Sequence, residues 1–315
     1  ELWKEMQKME KTKEEIKEEI EKDIKNSVDD FIGTIKKEPF KSIEKDRVEW
    51  KEDTIYTKAL YQGYLDACRT FKWEKDGEDN KKYIRKIFKE KEIVKYMKDY
   101  LNESEKENFD EIHKKLCDHL KECERTNMTY GQAQKIINMA FKYLYCCKHD
   151  SKMEERFKTC HMPLDSFSLE WFKRKFKEKI FSNPDSYSEN NKELPESLFT
   201  KKGEKKLKAE SIGSWSSMQT WEEDCKKQEY PYEFYAHVIK QYCKENSITP
   251  LQLDFIVWSK MQKIMAAEAF INTFKDNDEE NKEAINSEEL EPYDILNLKT
   301  TLENRLSEIR PLICK

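Results

Sequence analysis

The stretch TYGQAQKIINMAFKYLYCC, residues 129–147, decides the fold. Wound at about 100° per residue, positions 131–147 divide into two faces. Ala133, Ile136, Ile137, Ala140, Leu144 and Cys147 make an apolar stripe, and Gln134, Lys135, Asn138, Lys142 and Tyr145 gather opposite it beside Gly131. The spacing predicts an amphipathic helix with its lysines on the polar side. A charged insert follows, and then CHMPLDSFSLEWF at residues 160–172, where Pro163 closes a loop and Asp165 stands where another helix should begin. Leu164 before Asp165 and Leu169 four residues after it form a hydrophobic staple, so Asp165 is expected to cap that helix.

Outward from this core the chain reads as all-α. Of its 315 residues only 6 are Gly and 8 Pro, while 39% are charged, a composition that favours long helices over sheets. The 7 Trp, 16 Phe and 15 Tyr supply enough apolar bulk to close a core, which argues against disorder. Residues 1–50 are expected to hold a long helix, striped by Ile16, Ile20, Ile24, Val28, Ile32 and Ile35, and a connector. This helix offers a face for a protein partner, although its four-residue step drifts from a heptad. Residues 51–181 form a helical domain carrying the 129–172 segment. Within it, 54–71 and 80–101 read as one helix each, and Ser104 with Glu107 reads as a capping box for the next. Residues 182–213 are polar, contain Pro184, Pro195 and Gly203, and read as a long loop. Residues 214–315 are a helical region packing on the same core. It has aromatic helices over 215–221 and 230–242, a helix opened by Thr249-Pro250, an acidic linker over 275–292 and a last helix marked by Leu298, Leu302, Leu306 and Ile309.

The formal net charge of −5 excludes a chain that coats nucleic acid over its whole surface, but leaves room for a local basic groove. No run is long and apolar enough for a membrane span, because Lys142 breaks the most apolar stretch. Nine cysteines without regular spacing, and an opening Glu1-Leu2-Trp3-Lys4 with no basic-then-apolar run, point to reduced thiols and a cytoplasmic protein. Cys146, Cys147, His149, Cys160 and His161 are the one set that zinc could draw together, but their spacing fits no familiar knuckle. No metal and no cofactor are expected. Gly-rich phosphate loops and a nucleophile elbow are absent from the sequence.

A lysine near one helix start and a carboxylate at the next resembles the catalytic segment of the helix-hairpin-helix DNA glycosylase superfamily, particularly its 8-oxoguanine branches. In Gly131-Gln132-Ala133-Gln134-Lys135, Lys135 matches that family's Schiff-base lysine. In His161-Met162-Pro163-Leu164-Asp165, Asp165 matches its aspartate. The resemblance spans residues 129–172. The chain departs from the pattern in three places: the hairpin glycines are reduced to Gly131, residues 148–159 lengthen the interval, and no four-cysteine cluster closes the chain.

The resemblance implies a glycosylase, with or without lyase activity, that removes a damaged or modified base from DNA. Lys135 and Asp165 would be catalytic, and Gly131, Gln134, Asn138, His161, Trp215 and Trp221 would line the substrate site. Lys173, Arg174, Lys175 and Lys177 would contact the DNA backbone, and charge reversal at Lys173 and Arg174 is expected to leave folding intact. For Lys135 to act as nucleophile it must shed its proton, which requires burial or a neighbouring cation. The alternative function is a non-enzymatic, all-helical protein–protein interaction protein of the kind used in bacterial or mobile-element defence and counter-defence.

Overall fold

Capping chemistry sets where the helices of this chain start. Asn108 accepts the Asp110 amide at 3.2 Å, Asp150 the Met153 amide at 2.8 Å, and Asp165 the Ser168 amide at 3.0 Å, each satisfying an otherwise orphaned donor of a first turn. Thr129 with Gln132, and Thr249 with Gln252, are reciprocal capping boxes. The computed structural model describes residues 13–35, 52–73, 79–89, 91–102, 108–123, 125–147, 149–176, 213–220 and 231–280.

Ten α-helices run through the described residues: α1 (Lys13–Thr34), α2 (Glu52–Ala67), α3 (Asp79–Ile87), α4 (Lys91–Asn102), α5 (Phe109–Lys121), α6 (Tyr130–Tyr145), α7 (Ser151–Phe157), α8 (Ser166–Phe176), α9 (Tyr232–Glu245) and α10 (Pro250–Glu280). Short 3-10 turns occupy Cys68–Thr70 and Trp215–Ser217. The described residues hold no β-strand, only a bridge pairing Trp73 with Thr126. The protein is an all-α globular domain, and none of its described helices is long and apolar enough to cross a membrane.

Helix α6 is the hub. Its most extensive contact is with α2, and α5 and the Trp215–Ser217 turn also pack on it. Gly63 makes the α2 contact possible, because a Cβ there would lie 2.4 Å from the Ile136 carbonyl oxygen. Every residue from Tyr130 to Leu144 is buried. The amphipathic division of this helix therefore does not separate core from solvent. Its polar side is covered by other parts of the protein, and the polar groups find partners there, Asn138 Oδ1 excepted.

Helix α10 forms a second axis, packed on α1, α8 and α9. Helix α1 turns Ser27 and Phe31 inward, Ile35 just past its end is also buried, and Phe31 lies in edge contact with Phe255 and Trp258 of α10. Helix α9 ends without glycine. Ser247 adopts φ 55°, and the amides of Ser247 and Ile248 return to the carbonyls of Lys244 and Cys243, a Schellman closure that turns the chain into α10.

Several boundaries differ from the sequence reading. Residues 80–101 are split between α3 and α4 by a turn at Phe88 and Lys89. Helix α5 is capped by Asn108, while Ser104 and Glu107 lie outside the described residues. The segment after Ser217 is extended through Thr220 rather than helical, because its backbone is engaged by the start of α6. Lys275 to Glu280 continue α10 instead of starting a linker. Most of the 182–213 loop, the rest of the acidic linker and the last helix fall outside the described residues.

Candidate functional site

The site is built where three chain segments meet at the first turns of α6. Thr129 accepts the Gln132 amide at 3.1 Å and passes its own hydroxyl hydrogen to the Ser216 carbonyl at 2.6 Å. The Gly131 amide donates to the Met218 carbonyl at 2.9 Å, and a Cβ on Gly131 would stand 1.8 Å from the Trp215 carbonyl oxygen. Only glycine admits so close a backbone approach. The docked turn lays the half-buried Trp215 ring 4.7 Å from the Lys135 ammonium, within cation–π range.

Across from the indole, Lys135 Nζ donates to Asp165 Oδ2 at 3.0 Å. Lys135 is 8% exposed and Asp165 9%, so the pair is largely withdrawn from water. Asp165 divides its oxygens: Oδ1 accepts the Phe167 and Ser168 amides, and Oδ2 holds the lysine. Its own amide donates to Ser168 Oγ at 2.6 Å. The aspartate is thus both helix cap and partner of the lysine, its two oxygens fixed by these contacts.

A clamp behind the pair sets the loop that carries Asp165. Gln134 Nε2 donates to the carbonyls of Leu164, at 2.8 Å, and Gly131, at 3.0 Å. Gln134 Oε1 accepts the Leu164 amide at 3.2 Å and Asn138 Nδ2 at 3.0 Å. Asn138 Nδ2 also donates to the Tyr232 hydroxyl at 3.0 Å. Both amides are fully buried, so these residues, together with His161, hold protein to protein.

Two carboxylates that sequence reasoning missed flank α6. Asp66 of α2 accepts the Tyr143 hydroxyl at 2.9 Å; burial raises its pKa, and Lys135 and Lys142 oppose that rise. Asp254 of α10 accepts Lys142 Nζ at 2.6 Å, and its carboxyl is pushed up to about 6 by burial against the pull of that lysine. Both could have been suspected from the sequence: Asp66 lies one turn beyond Gly63, and Asp254 interrupts the apolar run of Leu253, Phe255 and Val257.

The remaining candidates scatter. Lys173 is exposed on α8. Arg174 is bound to Glu170 and Glu268 within the fold. Lys175 lies 5.2 Å over the Tyr242 ring. Lys177 and Trp221 fall outside the described residues. Among the described residues no group of His, Cys, Asp and Glu is placed to hold a metal ion. Cys147 and Cys160, both buried, turn their thiols to the Tyr143 and Arg156 carbonyls.

What the first turns of α6 present, then, is a shielded amine held between a fixed carboxylate and an indole. No family model matches the chain, and no curated protein or solved structure is significantly similar to it.

Proposed function

We propose that the protein is a DNA glycosylase-like enzyme that releases a damaged or modified base, with Lys135 as nucleophile and Asp165 as its carboxylate partner. The contact of 3.0 Å between Lys135 Nζ and Asp165 Oδ2, across two helix starts thirty positions apart, supports this reading. It gives the lysine an adjacent proton acceptor inside a site shielded from water, which amine nucleophiles need. The target nucleotide would leave the stack and enter beside Trp215. The Lys135 ammonium first passes one proton to Asp165. The free amine attacks C1′ as the glycosidic C–N bond breaks, and the bonding electrons leave with the base, which takes up a proton. Opening of the sugar ring then gives a Schiff base on Lys135, competent for strand cleavage. In this mechanism Gln134 and Asn138 are positioning residues that fix the Asp165 loop.

Borohydride trapping on duplexes carrying a panel of modified bases tests this reading. A covalent adduct is expected from the wild type and none from Lys135→Gln, with slower base release from Asp165→Asn. No adduct on any duplex, with base release intact in Lys135→Gln, would remove the lysine from the chemistry.

A second reading, an all-helical interaction protein, draws on the same contact, because Lys135 and Asp165 also lock α6 to the start of α8. Stoichiometric protein partners recovered without salt-sensitive DNA binding would favour it.

A further inference from the structure

A cavity opens away from Lys135, between α5, α9 and the loop before α8. Its volume is about 470 Å³, enough for a bicyclic molecule. Asp110 and Lys240 stand at its lining with His113, Tyr130, His161 and Tyr232, and the last four are almost wholly buried. The His113 and Tyr232 rings lie parallel within 9°, their centroids 5.1 Å apart.

Hydrogen bonding orders these groups in one direction. An ionised carboxylate only accepts, so at 2.5 Å His161 Nε2 must donate to Asp110 Oδ1. A neutral His161 then accepts at Nδ1 from the Tyr232 hydroxyl, 2.8 Å away. The Tyr232 oxygen in turn receives Asn138 Nδ2 at 3.0 Å and His113 Nε2 at 3.4 Å. That leaves His113 Nδ1 to accept from the Tyr130 hydroxyl at 3.2 Å. Burial agrees with this order: it lowers the His161 imidazole to about 4 and lowers His113 as well, so both rings are neutral.

Two polar positions are left over at the mouth. Lys240 Nζ donates to Asp110 Oδ1 at 2.5 Å, the oxygen that already serves His161. Asp110 Oδ2 therefore has no donor among the described residues, and Lys240 spends one of its three N–H groups. An open acceptor next to an open donor matches a neutral ligand edge that carries N–H beside C=O. An anion would meet Asp110 and a cation would meet Lys240, so the pair disfavours either charge. The other charged lining residues, Glu111, Glu233 and Lys114, supply both signs.

We propose that this cavity is a binding site for a planar heteroaromatic lactam, its N–H on Asp110 Oδ2, its carbonyl on Lys240 Nζ and its rings among the buried His and Tyr side chains. The proposal does not rest on the glycosylase reading, because Lys135 does not line the cavity.

The test titrates the full chain with the bicyclic lactam isocarbostyril, its N-methyl derivative, naphthoate and benzamidine. Binding is read by calorimetry and by the imidazole nitrogen resonances of His113 and His161. Isocarbostyril should bind in a one-to-one complex and shift both imidazoles. The N-methyl derivative, which cannot donate, should bind at least about tenfold more weakly, as should the two charged probes. Asp110→Asn, which turns the open acceptor into a donor, and Lys240→Met, on the surface of α9, should each weaken isocarbostyril by about tenfold. Equal binding of the N-methyl derivative, tighter binding of a charged probe, an unaltered affinity in Lys240→Met, or no heat and no imidazole shift near ligand saturation would each overturn the assignment.

Discussion

Lys142 places its ammonium 2.6 Å from the Asp254 carboxylate with no side-chain surface exposed to water. Phe31, Phe255 and Trp258 surround the same ammonium at 4.1, 4.5 and 5.4 Å from their ring centroids. One cation thereby ties α6 to α10 and α1. Removing its counter-ion strands a buried charge, so Asp254→Ala should lose about 3–5 kcal/mol of unfolding free energy. Replacing both partners, as Lys142→Met with Asp254→Leu, should recover most of that loss. Urea unfolding of Lys142→Met, Asp254→Leu and the double decides it: additive losses would show that the ion pair is not coupled.

Gly131 is the point where the Trp215 segment docks. Alanine there must push backbone, since the Trp215 carbonyl oxygen is 1.8 Å from the new Cβ and the Met218 Cβ 3.0 Å. Gly131→Ala should cost about 1–3 kcal/mol as an overpacking change and free the 213–220 segment from α6. Gly33, with nothing within 4 Å of its Cβ position, is the control, and Gly33→Ala should be tolerated. Limited proteolysis in 213–220, alongside denaturant midpoints, separates the two. Equal behaviour of the two variants would mean that the close approach is not maintained in solution.

His161 makes stability depend on pH. Its imidazole is lowered by burial and by Lys240 against the opposing pull of Asp110, reaching about 4, while the unfolded chain keeps the ordinary 6.5. The unfolded state therefore binds the extra proton between these values, and stability rises with pH across them. The contribution is complete above about 6.5 and is lost as pH falls toward 4, by roughly 3 kcal/mol. Asp254 works in the opposite sense. Its carboxyl is raised to about 6, so the folded state takes that proton first as pH falls from 6 to 3.8. Comparing the wild type with His161→Gln isolates the histidine, because glutamine can still donate to Asp110 and accept from Tyr232. The stability gap between them should shrink from neutral pH toward pH 4, and a constant gap would contradict a buried neutral His161.

The all-α class was legible because helical periodicity survives in Ile136, Ile137, Ala140 and Leu144 whatever covers the opposite face. The capping role of Asp165 was legible as local hydrogen-bonding chemistry, and so was the helix start at Thr249-Pro250. The destination of the polar face was not. Gln134, Asn138 and Lys142 look like a solvated stripe, and their burial depends on the Leu164 backbone, Tyr232 and Asp254, which are 30 to 112 positions distant from their α6 partners in the chain. Pairing across such distances has no periodic signature. The close approaches at Gly63 and Gly131 left a trace, a glycine inside a helical pattern, but that trace does not name the partner strand of backbone. The cavity by Tyr232 was invisible for the same reason, since Asp110, His113, His161 and Lys240 come from three separate segments.

Arg174 and Lys173 are neighbours in sequence with opposite situations, although the sequence treats both as phosphate contacts. Arg174 Nη1 and Nη2 grip the two Glu268 oxygens at 3.0 and 2.9 Å, and Nε bonds Glu170 at 2.8 Å. This fork joins α8 to α10, and the guanidinium pKa is raised by Glu268 against partial burial. Arg174→Glu would set three carboxylates together, so the expectation that reversal here leaves folding intact is corrected. A loss of about 1–3 kcal/mol is expected, from the broken charge-assisted bonds and the new repulsion. Lys173 is exposed, and Lys173→Glu should leave the unfolding midpoint unchanged within about 0.5 kcal/mol. Lys173 is therefore the position at which to probe a DNA backbone contact without disturbing the scaffold. If the glycosylase reading holds and α8 flanks the duplex, Lys173→Glu should weaken binding to all duplexes alike and reduce the salt slope by about one counter-ion. An unchanged affinity across a salt titration would remove this face of α8 from the DNA surface, and an unchanged midpoint in Arg174→Glu would show that the fork contributes nothing to the α8–α10 contact.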